Sequence, residues 1–200
     1  MKRRELKQSA RHSIINNIGE IIKTLLLYFG ISYSLGFIAG MVSYYNTILY
    51  VIIYIIAIII SCLMYMGYNS FFLKVARDEE VTWRELFSKK EMLLSCLGIS
   101  LLIGLLTAFW SFLFIIPGII ASINYSIAYF VKLDNPNLSA MEVLNKSTQI
   151  MNGHKWDFFI LILSFTLWII IGLFTFGLLY LWLIPYMQIS VAKFYNEIKD

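Results

Sequence analysis

The chain has 200 residues, 60% of them hydrophobic and 14% charged, with a mean hydropathy of +0.75. That is too apolar for a soluble globule of this size, and six membrane spans of about 20 residues would use most of it, so no separate soluble domain fits beside them. The net charge of +4 is no nucleic-acid signal, because the basic residues flank apolar stretches, where they act as topology signals and as contacts for anionic lipid headgroups.

All charged residues fall in four blocks, Met1–Lys23, Lys74–Glu91, Lys132–Asp157 and Lys193–Asp200. Between them lie charge-free gaps of 50, 40 and 35 residues. Each gap is long enough to cross a bilayer and return. The expected fold is all-α: a polytopic membrane protein with six transmembrane helices in three hairpins, joined by short amphipathic cytoplasmic helices. Every lysine and arginine lies in the blocks, and basic residues in short loops mark the cytoplasmic side. Both termini are therefore expected inside, in the cell membrane. The basic amino terminus is not expected to be a cleaved signal, because its apolar run is too long and continues into a second one.

In chain order, Leu6, Ala10, Ile14, Ile18 and Ile22 recur every four residues, with Lys2, Arg3, Arg4, Lys7 and Arg11 mainly on other faces. That spacing predicts a basic amphipathic helix on the inner leaflet. Spans are expected at about 22–42 and 47–70, turning at Ser43-Tyr44-Tyr45-Asn46. Thr82-x-x-Glu85 predicts a capping box. Spans at about 93–115 and 117–133 are expected to turn at Pro117-Gly118, a dipeptide that interrupts helices. Ser139-x-x-Glu142 predicts a second capping box, followed by an apolar stripe of Val143, Leu144, Ile150 and Met151 and a stop at Gly153. The last spans are expected at about 157–174 and 176–194, with a turn near Thr175 and a kink at Pro185. A tyrosine precedes a lysine at the end of each hairpin (Tyr68 and Lys74, Tyr125 and Lys132, Tyr186 and Lys193). This reads as an aromatic belt, and alternatively as three parallel repeats.

A set of motifs is denser than these patterns require. It comprises Ile116-Pro117-Gly118-Ile119, then Asp134-Asn135-Pro136-x-x-Ser139-Ala140-x-Glu142-x-Leu144 and Ser147. It continues with Met151-x-Gly153-His154-Lys155-Trp156-Asp157-x-Phe159, Leu163-Ser164-Phe165, Trp168, Pro185-Tyr186 and Phe194-Tyr195. Together with Glu5-Leu6-Lys7 and Ala10-Arg11, it resembles a bacterial integral-membrane family catalogued as domain of unknown function 975. That family is distantly similar to the membrane portion of some glycerophosphodiester phosphodiesterases. The resemblance implies a membrane fold and supplies no activity, since the catalytic domain of those enzymes has no room here.

Candidate sites are few. No ionisable residue lies deep in a span, which disfavours proton-coupled transport. The best intramembrane polar cluster is Ser122, Asn124, Tyr125, Ser126 and Tyr129, either a lining for a headgroup or small solute or simple interhelical hydrogen bonding. At the inner surface, Arg3, Arg4, Lys7, Arg11, His154, Lys155 and Trp156 are candidate headgroup or partner contacts. Cys62 and Cys96 read as free membrane cysteines, and His12 and His154 lack a second ligand at metal-like spacing. No nucleophile–base set or phosphate loop is present, so no enzyme, no cofactor and no metal are expected. The leading expectation is a membrane scaffold or lipid-associated factor, with the lipid bilayer, anionic headgroups and an unidentified membrane or cytoplasmic protein as partners. The alternatives are a channel or transporter component with a path along span four, and an accessory or self-immunity factor.

Overall fold

The computed structural model describes residues 3–175 and 177–199. Among them there is no strand; eight α-helices and two short 3-10 turns make up the fold. They are α1 (Arg3–Ser43), α2 (Thr47–Ala76), α3 (Leu93–Leu113), α4 (Ile115–Tyr125), α5 (Ala128–Asp134), α6 (Ala140–Ile150), α7 (Lys155–Phe174) and α8 (Tyr180–Ile198), with 3-10 turns at Trp83–Phe87 and Lys90–Met92. Five stretches among the described residues are long and apolar enough to cross a membrane: Arg4–Ser43, Thr47–Ala76, Trp83–Leu113, Ile115–Asp134 and Lys155–Phe174. The sixth expected span coincides with α8, a 19-residue helix that carries Lys193 and Glu197 near its end and runs through Pro185 without a break. Of the expected turn between α7 and α8, Phe176 lies outside the described residues.

Packing is uneven along the helices. On α2, Met64, Met66 and every residue from Gly67 to Leu73 are buried, whereas Ile48, Ile52, Ile55 and Ile59 are exposed. The charged end of the molecule is therefore a close-packed core of Phe71, Phe72, Phe130, Ile14, Leu86 and Tyr195, from which the apolar helix ends splay. In hydrocarbon, apolar side chains gain nothing by leaving lipid, whereas at the charged end, next to water, burying these large apolar side chains is favourable.

Several expectations are met and others corrected. The first turn falls at Tyr44-Tyr45, with the Asn46 side chain capping α2 by accepting from the Leu49 amide. Ser139 and Glu142 form the capping box of α6, and Gly153 takes the positive φ of 87° that ends this segment. Thr82 makes no side-chain cap; Glu85 is drawn off by Ser70, Lys74 and Ser88, and only a 3-10 turn follows. The third span ends at Phe114, which is extended (φ −157°), before Pro117. Pro117 sits in the first turn of α4, where a proline costs no backbone hydrogen bond. The chain breaks again between Tyr125 and Ala128, so span four is two short helices.

The amino-terminal stripe also changes register. Asn17 (φ −120°, ψ 16°) kinks α1, and its side chain donates to the Ser13 carbonyl. Leu6, Ala10 and Ile14 are buried before the kink, Ile21 and Leu25 after it, while Ile18 and Ile22 are exposed. The stripe faces protein rather than only the leaflet: Lys7 lies over the Phe165 ring of α7 at 4.3 Å. Cys62 and Cys96, expected free, face each other from α2 and α3 with Cα atoms 6.1 Å apart, and the structure pairs them.

Candidate functional site

Two polar regions arise from this packing. The first is a groove of about 690 Å³ between α1, α2 and α3, closed at one end by Tyr129 of α5. Its walls on α1 run from Tyr28 through Ser32, Leu35 and Gly36 to Ala39, and on α2 from Tyr54 through Ala57, Ile58 and Ser61 to Tyr65. Gly36, Ala39, Ala57 and Ser61 carry too little side chain to fill the space between the walls. Each wall spans twelve residues, about 16 Å at a rise of 1.5 Å between neighbours. That is about half of the ~30 Å hydrocarbon thickness, the depth of one leaflet.

Hydroxyls gather at the end of the groove nearest the charged core. Tyr28 packs at a tilt on Tyr68 with ring centroids 4.7 Å apart, and Tyr65 meets Tyr129 edge to face at 4.8 Å. The Tyr129 and Ser100 hydroxyls share a hydrogen bond of 2.7 Å. Opposite them, the outer walls are mainly apolar, with Leu35, Ala39 and Ile58 beside the Tyr54 ring, and the residues flanking them, Phe37 and Ile55, are exposed. The groove is amphipathic along its length: an apolar slot ending in neutral hydrogen-bonding groups.

A second pocket of about 470 Å³ adjoins it between α3 and α4 and shares Tyr65, Ile103 and Tyr129. Of the five polar residues that the sequence singled out on span four, Ser122, Tyr125, Ser126 and Tyr129 line this pocket. Ser122 and Ser126 donate to the carbonyls of Ile119 and Ile123, so their hydroxyls are already engaged by their own helix. Asn124 points elsewhere. Its backbone carbonyl accepts from Ser147 at 2.6 Å, and its side-chain oxygen is buried without a partner. It is not among the residues that line this pocket.

The second region is ionic. Asp134, at the end of α5, accepts from Arg77 at 2.6 Å, from Tyr195 at 3.0 Å and from Lys199 at 3.2 Å. Arg77 also donates to Asn196. Burial pushes the Asp134 carboxyl up, but the Arg77 guanidinium, Lys199 and Tyr195 outweigh it and hold it below the ordinary range. Glu85 is likewise held down, burial being outweighed by Ser70, Lys74 and Ser88. Among the described residues buried Lys132 meets no carboxylate; its ammonium donates to the carbonyls of Pro136 and Leu138. Asp78, in the left-handed region at φ 56°, is held by Ser13 and Lys193. These contacts tie α1, α2, α5 and α8 together, so much of the collar is a clamp and not a free surface.

The expected contact residues at the inner surface are scattered. Arg4 and Arg11 are exposed on α1, Lys7 rests on Phe165, and the Arg3 side chain lies outside the described residues. His154 and Lys155 are half-buried at the start of α7, where exposed Trp156 stacks on Phe159 at 5.4 Å. No group of three or more His, Cys, Asp or Glu among the described residues could hold a metal ion. The groove itself was not legible in sequence. Its only signal was the interruption of an apolar run by Ser32, Gly36, Ala39, Ala57 and Ser61, a pattern equally suited to close helix packing.

Residues 113–200 match the family described as "Protein of unknown function (DUF975)", the same family that the sequence motifs resemble. The match covers α4 to α8, with the ionic clamp residue Asp134, and leaves the α1 and α2 walls of the groove outside it. No curated protein and no solved structure matches the chain.

Proposed function

We propose that this is a non-enzymatic, multi-pass protein of the cell membrane that holds a lipid in the groove between α1, α2 and α3. The observation that carries the reading is the groove's shape and polarity. It is one leaflet deep, apolar along most of its walls, and ends in the Tyr28, Tyr65, Tyr129 and Ser100 hydroxyls. An acyl chain fits such a slot, and neutral hydroxyls suit the ester and glycerol oxygens of a lipid at its polar end. No charged residue lines either pocket, which fits poorly with ion coupling. Both termini and the ionic clamp lie on the cytoplasmic side, six spans cross, and exposed Arg4 and Arg11 face the anionic leaflet surface.

Native mass spectrometry of the gently extracted protein tests the reading. Gly36 lines the groove and a Cβ there meets nothing within 4 Å, so Gly36→Leu is the variant chosen to fill it. The wild type is expected to retain one lipid, and Gly36→Leu with Ala57→Leu to lose it at unchanged thermal stability. Equal retention in both proteins would refute the groove as the site. Reporter fusions at Asn46, Phe114 and Thr175 test the topology: a cytoplasmic signal at any of them breaks the arrangement.

A second reading rests on the α3–α4 pocket, whose Thr107 hydroxyl is buried without a partner. There a polar solute would pass along Ser122 and Ser126. Ser126→Leu then abolishes solute flux into vesicles, whereas the lipid reading leaves lipid retention unchanged in the same variant.

A further inference from the structure

Cys62 and Cys96 do not sit alone. Cys62, Met66, Met92 and Cys96 form one contact cluster, separate from the main core, with exposures of 9%, 0%, 8% and 0%. On α2 the pattern is Cys62-x-x-x-Met66, and at the start of α3 it is Met92-x-x-x-Cys96. Residues four apart share a helix face. The two segments run antiparallel, with Cys62 opposite Cys96 at a Cα separation of 6.1 Å. The same register sets Met66 opposite Met92. Four sulfur-bearing side chains thus converge from two helices.

We infer that the dithiol form of this cluster is a binding site for one soft monovalent metal ion of the Cu(I) class. Thiolate and thioether sulfur select such ions, whereas hard cations are held by sets of oxygen ligands. The surroundings suit the ion: Leu93, Leu97 and Leu133 exclude water, and Tyr129 packs alongside. Cys62 also lines the groove, so the cluster borders open space and is not sealed in the core. Binding displaces the thiol protons to solvent and involves no electron transfer. Oxidation of the pair to the disulfide removes two protons and two electrons and abolishes the site.

The test uses the full chain in detergent, reduced with a phosphine that supplies the two electrons, then freed of phosphine under nitrogen. Silver(I) is the probe, because it has Cu(I)-like ligand preference without redox chemistry. After desalting into excess free methionine, the reduced wild type is expected to retain one silver per chain, and the oxidised wild type none. Cys62→Ser/Cys96→Ser should lose retention, and Met66→Leu/Met92→Leu, which conserves volume, should weaken it at least tenfold. If the cysteine variants do not fold, protection of Cys62 and Cys96 from maleimide by silver in the wild type decides the matter. Equal retention by the cysteine double variant, no protection of the thiols, or a pair that resists reduction in the folded protein each overturns the inference.

Discussion

The Asp134 carboxylate and the Arg77 guanidinium, 57 residues apart in the chain, meet at 2.6 Å and join the end of α5 to the end of α2. Tyr195 and Lys199 bring α8 to the same oxygen. Asp134→Asn keeps the shape and removes the charge that three donors share. The groups are 20% and 27% exposed, so solvent screens part of the loss. The expected destabilisation is about 1–3 kcal/mol, read as a lower melting temperature in detergent at neutral pH. A carboxyl lowered in the folded state stabilises fully above its unfolded value and loses that contribution as pH falls through the lowered one. Wild-type stability should therefore hold from neutral pH to about pH 4 and decline below it. The gap between wild type and Asp134→Asn should close over the same acid range.

Gly67 lies where α2 passes the 3-10 turn at Trp83–Phe87, and a Cβ there would run into the backbone carbonyls of Glu85 and Leu86. Backbone cannot yield as a side chain can. Gly67→Ala is expected to cost at least ~2 kcal/mol by forcing the turn away and breaking the Ser70–Glu85 contact. Gly36→Ala, in open space on α1, should instead be neutral or stabilising by up to ~1 kcal/mol through helix propensity. Thermal unfolding of the two variants side by side checks the contrast.

Asn124 and Ser126 stand two residues apart in sequence and differ in surroundings. The Asn124 side-chain oxygen is buried and unpaired, so Asn124→Leu should leave stability unchanged or raise it, because an unsatisfied polar group is removed. Ser126→Leu fills the pocket between α3 and α4. Melting curves of both variants, with transport measured in vesicles, distinguish a structural asparagine from a lining one. Loss of transport in Asn124→Leu at normal stability would contradict this placement.

Arg4 and Arg11 are exposed on the amino-terminal stretch of α1, whereas Lys199 is engaged with Asp134. Each surface arginine near anionic lipid is worth ~1 kcal/mol, or about fivefold in lipid preference. Arg4→Gln and Arg11→Gln should lower the ratio of anionic to zwitterionic lipid that co-purifies, with less difference at high salt. Lys199→Gln should lower the melting temperature and leave that ratio unchanged. Lipid analysis of the purified variants checks both halves.

The sequence by itself determined the helical membrane character and the segregation of charge. Long gaps free of charge have one physical meaning, since hydrocarbon penalises every ion placed in it. Local signals were legible for the same reason that they are local: the Asn46 cap, the Ser139–Glu142 capping box and the φ 87° of Gly153 depend on residues within a few positions. The Thr82–Glu85 signal failed because Ser70 and Lys74, remote in sequence, competed for the same carboxylate. Only the tertiary structure decided where polar groups serve each other and where they face open space. It turned Arg77 from a topology marker into one half of a clamp with Asp134, and it opened a groove between α1, α2 and α3 where the chain shows small residues in apolar runs. It also set Cys62 and Met66 against Cys96 and Met92. Each of these depends on the relative register of two helices, which hydropathy leaves free and side-chain contact fixes.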